Sequence, residues 1–173
     1  LGAGNAAGDR YSDVDQGKLV KLVAESRYDL CAAGDAIEGV VVAVESATSG
    51  GYSVGGIIKE GMIFATADGL QATAGTGAIA VGDYVVAGTA TAKGTALTAY
   101  PKVCKATVQP TTAIVSTLAS ADTAAAVKTV LDAALVTAAT AYRNAIYAWR
   151  VVSLGSAGTG AVGTTIVIER VSS

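Results

Sequence analysis

The chain has 173 residues, of which 15% are charged, a formal net charge of -2 and no histidine. That length suits one domain, or one domain with an arm, and is enough to bury a hydrophobic core. No basic stripe is present, which argues against direct nucleic-acid binding. The missing histidine removes conventional Ser-His and Cys-His nucleophile pairs, and two cysteines cannot make an all-thiolate structural zinc site.

Residues Leu1 to Gly17 read as an extended, irregular arm, with Gly, Asn, Asp and Ser and no apolar period. Gly2-Ala3-Gly4 follows no strand, so it is not a dinucleotide loop. Asp9, Asp13 and Asp15 resemble a piece of a calcium loop, but the twelfth position counted from Asp13 is Ala24, where an acid is required. A solvated polar arm is the expectation there. It is also expected to owe its order to a neighbouring subunit.

A single β-rich domain is expected over 18–173. A strand begins at Lys18, and Tyr28 to Gly34 leads into a turn at Ala33-Gly34-Asp35. The Val-rich run Glu38 to Glu45 is the clearest strand in the chain. Ser49-Gly50-Gly51 is a turn, Gly56 to Ala65 gives one or two strands meeting at Glu60-Gly61, and Asp68-Gly69 is a hairpin dipeptide. Val81 to Gly88 and Leu97 to Lys105 add two more short strands. Gly-punctuated strands at this spacing predict a mainly β fold, a compact barrel or sandwich.

The pattern changes at Pro110, and a helical insertion is expected over about 110–147. Ser120 to Tyr147 contains no Gly or Pro, and Val127, Val130, Leu131, Ala134, Leu135 and Ala138 fall on one face. This predicts one Ala-rich helix, or two with a break near Thr137, capped by Ser120 or Asp122, its apolar face packed on its own barrel or, as the alternative, open to a partner. Ala148 to Val152 and Thr164 to Arg170 close the domain as paired strands. The charge-free runs Val151 to Ile168 and Ala106 to Ala121 are broken by Gly, or by Pro110 and a Thr pair, so neither suits a spanning helix despite a mean hydropathy of +0.49. No signal-peptide pattern is read at the first residues.

Gly51-Tyr52-Ser53-Val54-Gly55 fits G-x-S-x-G, but a nucleophile elbow needs a following helix and a base. A Gly-rich hairpin loop is the better reading. Asp29, Asp35, Glu38, Asp68 and Asp83 mostly sit beside Gly or at strand ends, where acids shape turns. Cys31 and Cys104 are expected as buried thiols rather than a disulfide, and Trp149 and Tyr147 as core or interface anchors. No catalytic, cofactor-binding or metal-binding residue is assigned, and the chain is not expected to be an enzyme. Few charges with 51% hydrophobic residues imply a surface covered by neighbours.

Leu30 to Val41, Gly56 to Gly61 and Val81 to Gly88 resemble the capsid cement, or head decoration, proteins of tailed bacteriophages. The resemblance covers about half the chain and rests on Gly-punctuated strands, small residues and low charge. It implies a structural protein on the outer surface of the virion head, made in the host cytoplasm. Its partners would be the major capsid protein and further copies of itself, as a dimer or trimer, with no membrane and no cofactor. A surface adhesin-like fibre or S-layer module and a ligand-binding β-barrel are the alternatives.

Overall fold

The computed structural model describes residues 11–24, 27–45, 54–107, 109, 123–147 and 149–171. The fold is mainly β: a closed five-stranded barrel, a separate four-stranded sheet and one helix. The strands in chain order are β1 (Leu19–Ala24), β2 (Arg27–Leu30), β3 (Gly39–Glu45), β4 (Val54–Ile58), β5 (Met62–Leu70), β6 (Thr73–Ala74), β7 (Tyr84–Ala87) and β8 (Lys102–Lys105). The helix α1 (Ala124–Tyr147) precedes β9 (Trp149–Ser153) and β10 (Thr165–Arg170).

The separate sheet has the order β2-β1-β3-β4, all antiparallel. The barrel runs β10-β9-β7-β8-β5 and closes through an antiparallel β10–β5 pair, Thr165 opposite Thr66 through Glu169 opposite Met62. Its β5–β8 pair is parallel. Closure removes the open edges that an isolated sheet would leave.

Alternate residues of the barrel strands point inward and fill it. Ala65 and Ala67 of β5, Val85 and Ala87 of β7, Val103 of β8, Trp149 and Val151 of β9, and Ile166 and Ile168 of β10 are all buried in one cluster. A five-stranded barrel is narrow, so small residues on some strands are what admit the single Trp on another. Leu19, Cys31, Ile37 and Val40 of the separate sheet and its loops join the same cluster. The two parts are therefore packed on one core. Backbone bonds reinforce the seam: Gly34 N donates to Ala87 O at 2.7 Å, and Ala87 N donates to Asp35 O at 3.0 Å. Arg170 of β10 reaches across to the Glu38 carbonyl at 2.7 Å.

Several expectations are corrected here. Residues 11–17 are not a solvated arm lying on a neighbour. Tyr11 and Asp15 are fully buried within their own chain, and Asp13 to Asp15 form a short 3-10 turn. Residues 1–10, with Gly2-Ala3-Gly4 and Asp9, lie outside the described residues. Asp68-Gly69 is not a hairpin turn: β5 runs through it, and the reversal falls at Gln71-Ala72 before β6. Gly69 has φ +83°, and a side chain there would run into the Thr76 carbonyl. Its glycine serves a close approach inside a strand rather than a turn.

The helix is unbroken at Thr137, whose hydroxyl donates to Ala133 O at 3.0 Å. Its first turn is bonded by Thr123, whose side chain accepts from Ala126 N at 3.3 Å. Ser120 and Asp122 lie outside the described residues. The expected packing of the helix on its own barrel is also corrected for the described side chains. Leu131 is 45% exposed and Leu135 64%, while Val127, Val130 and Ala134 are only half-buried.

Candidate interaction surface

The buried acids and cations explain one another. Lys18 Nζ meets Asp15 Oδ1 at 2.6 Å, with both side chains almost fully buried. Lys18 also donates to Ala92 O at 2.7 Å, and Gly94 N donates to Asp15 Oδ1 at 2.8 Å. Burial alone would raise the Asp15 pKa. The hydrogen bonds from Lys18, Ser12 N and Gly94 N outweigh it and hold the carboxyl below its ordinary value. The pair ties the segment before β1 to the loop between β7 and β8. Both Asp15 oxygens accept hydrogen bonds within the chain, Oδ1 from Lys18 and Gly94 N and Oδ2 from Ser12 N.

The acids singled out from the sequence are not brought together. Asp29 accepts from the Tyr11 hydroxyl at 2.7 Å, and Asp35 pairs with Lys21 at 2.6 Å. Glu38 lies between Lys59 and Arg170. Asp68 accepts from Thr89 Oγ1 at 2.6 Å with Lys102 at 3.6 Å, and Asp83 meets Lys105 at 2.9 Å while accepting from Ala80 N. Among the described residues no group of three or more His, Cys, Asp or Glu could hold a metal ion. Ser53 lies outside the described residues, and the chain after it enters β4, not a helix.

Cys31 and Cys104 are free and buried. Burial, with nearby Asp35, pushes the Cys31 thiol up to about 12, and burial beside Asp68 pushes Cys104 up to about 11. Both are inert at neutral pH. Trp149 is a core anchor whose indole N–H finds no acceptor among the described residues. The Tyr147 side chain lies outside the described ones. A cavity of about 30 Å³ between the sheet and the barrel, bordered by Lys18, Cys31, Leu97 and Lys102, has room for about one water.

The outside of the molecule is where apolar residues lack cover. Met62 is 67% exposed and Phe64 54% on the outer side of β5. Phe64 stacks on Tyr100 with ring centroids 5.2 Å apart, and Tyr100 is itself 45% exposed. The Tyr100 strand approach is strapped down, since Thr66 N donates to Pro101 O at 2.9 Å and Thr66 Oγ1 to Tyr100 O at 3.2 Å. The aromatic pair is thus held on a rigid wall of the barrel. On the separate sheet Leu22, Val23, Val42 and Ile58 are also exposed. β4, with the uncharged sequence Val-Gly-Gly-Ile-Ile, forms one edge of that sheet.

Charge on this surface is largely spent internally. Among the described residues, eight Lys and Arg side chains stand in ion pairs with acids of the same chain. Such a surface projects little long-range field, so it suits close apolar contact over steered encounter. No helix among the described residues is long and apolar enough to cross a membrane. No protein-family model, curated protein or solved structure matches the chain. The aromatic pair was hidden in the sequence, because Phe64 and Tyr100 are 36 residues apart and meet only through the β5–β8 pairing.

Proposed function

We propose that the protein is a capsid cement protein of a tailed bacteriophage. It binds the outer surface of the head at joints between major capsid proteins and stabilises the shell. The observation that carries this reading is the rigid apolar wall of Met62, Phe64 and Tyr100 on a domain whose charges are mostly paired internally. Cementing needs shape and apolar contact area, not chemistry, and weak individual contacts act together across a lattice. The filled barrel favours this over a ligand-binding barrel, which would keep a pocket of hundreds of Å³.

A ligand that bridges neighbouring shell subunits adds free energy only once they are in place. Particles lacking the protein are therefore expected to assemble, yet to release their genome at lower temperature or on chelator or osmotic challenge. Purified protein added back is expected to restore resistance, and a Phe64→Ser/Tyr100→Ser variant to restore it poorly. Depleted particles as heat-stable as complete ones would sink the reading and move the adhesin-like module to first place.

A further inference from the structure

Among the described residues, β4 is the sheet edge left unguarded. The barrel is closed, and β6 is only two residues long. β2, at the opposite edge of the separate sheet, carries Arg27 and Asp29, and the Tyr11 hydroxyl accepts from Leu30 N at 3.0 Å. Charges and a covering segment are how natural sheets blunt an edge. β4 has neither charge nor proline over Val54–Ile58. Among the described residues no backbone hydrogen bond joins it to anything but β3. One row of its N–H and C=O groups therefore faces outward.

A side-chain gap lies along the same edge. β3 bulges at Val42, since Val41 stands opposite Ile57 and Ala43 opposite Gly56. A Cβ on Gly56 would lie 3.2 Å from Val42 Cγ2. The bare glycine leaves the exposed Val42 as the floor of a gap, with exposed Ile58 on the same face of β4 as Gly56. Lys59, next in the chain, is engaged by Glu38 at 3.3 Å and lies over the Tyr28 ring. The gap is thus apolar, and a charged side chain entering it would lose its water without gaining a partner.

We infer that β4 takes up an extended, uncharged segment of another protein as a further strand, with an aromatic side chain of that segment seated over Gly56 against Val42 and Ile58. The outward backbone groups supply affinity and the gap supplies specificity. An aromatic ring opposite an edge glycine covers what the glycine leaves bare. A second copy of this chain does not supply that ring. The register that pairs all five residues of one β4 with another puts Gly56 opposite Gly56, and both gaps stay unfilled. The edge lies apart from the wall of Met62, Phe64 and Tyr100, so the inference does not rest on the reading of that wall.

The test uses the full chain and, as the strand, a blocked peptide of sequence Thr-Val-Thr-Phe-Thr-Val-Thr. An NMR titration should show saturable binding with a Kd of about 1 mM or tighter. Amide exchange should slow about tenfold or more at alternate residues of β4, those whose N–H groups do not bond to β3. The same peptide with Ser in place of Phe should bind about tenfold more weakly. Ile58→Lys should weaken binding of the Phe peptide by a similar factor with Trp149 emission unchanged, whereas Val81→Lys, an exposed apolar position in the loop before β7, should not. If Ile58→Lys fails to fold, the two peptides still decide. Equal binding of both peptides, or no slowing of exchange in β4, would overturn the inference. So would β4 amides already protected before peptide is added and released on dilution, since a second copy would then hold the edge.

Discussion

Asp15 and Lys18 form a buried ion pair that is saturated by Ser12, Ala92 and Gly94. Breaking such a pair on one side strands a buried charge, which costs about 3–5 kcal/mol. Asp15→Asn is therefore expected to lower the thermal midpoint by about 10 °C or more, read by circular dichroism and Trp149 fluorescence. Asp15→Asn combined with Lys18→Met should recover part of that loss, because no charge is then left unpaired. An Asp15→Asn midpoint within 2 °C of the unaltered chain would show the pair to be dispensable. The sequence offered little warning of this pair. Three Asp near the N-terminus read as polar chain, and the groups that bury Asp15 come from about 80 residues away. Asp68-Gly69 misled for a related reason. A dipeptide that usually marks a hairpin serves instead as a buried anchor for Thr89 and a close approach to Thr76.

At the scale of elements, β3 and the paired β9 and β10 were legible because β-branched residues run between Gly or turn signals. The assignment of β4 and β5 to different sheets was not, nor was the parallel β5–β8 pair. Both depend on partners far apart in sequence. The helix period was legible, but whether its face is covered is a tertiary fact. Pairing registers also define what α1 interrupts. Val85 of β7 faces Lys105 on one side and Trp149 on the other. The end of β8 and the start of β9 are thus two strand spacings apart, about 10 Å. A linker of about six Gly and Ser residues spans that distance. Replacing 110–147 by such a linker is expected to leave the barrel folded, with Trp149 emission still that of a buried indole and the midpoint within about 5 °C. Loss of the cooperative transition would mean that the barrel needs the inserted segment.

For the whole molecule the titrating groups set the ends of a pH plateau. Without histidine the usual switch near neutrality is missing. Burial would raise the carboxyls of Asp15, Asp29 and Asp68. Their hydrogen bonds, from Lys18, Tyr11 and Thr89 respectively among others, more than offset it and hold all three below the ordinary value. Stability from a lowered carboxyl is present above the unfolded pKa of about 4 and is lost as pH falls through the folded one. At the other end, burial raises Cys31 to about 12 and Cys104 to about 11. Burial, and then the bond to Asp29, lifts the Tyr11 hydroxyl above its ordinary range. For these groups the sign reverses: the unfolded chain ionises first, so their stability is present below the unfolded pKa values of about 8.5 to 10 and erodes above them. The thermal midpoint is expected to stay flat from about pH 5 to pH 8, fall below about pH 4, and fall again above about pH 9. Cys31→Ala/Cys104→Ala should soften the alkaline fall and leave the acid one unchanged, since the thiols contribute only on that side. A midpoint that moved through pH 6 to 7 would contradict this account, because the chain has no histidine to titrate there.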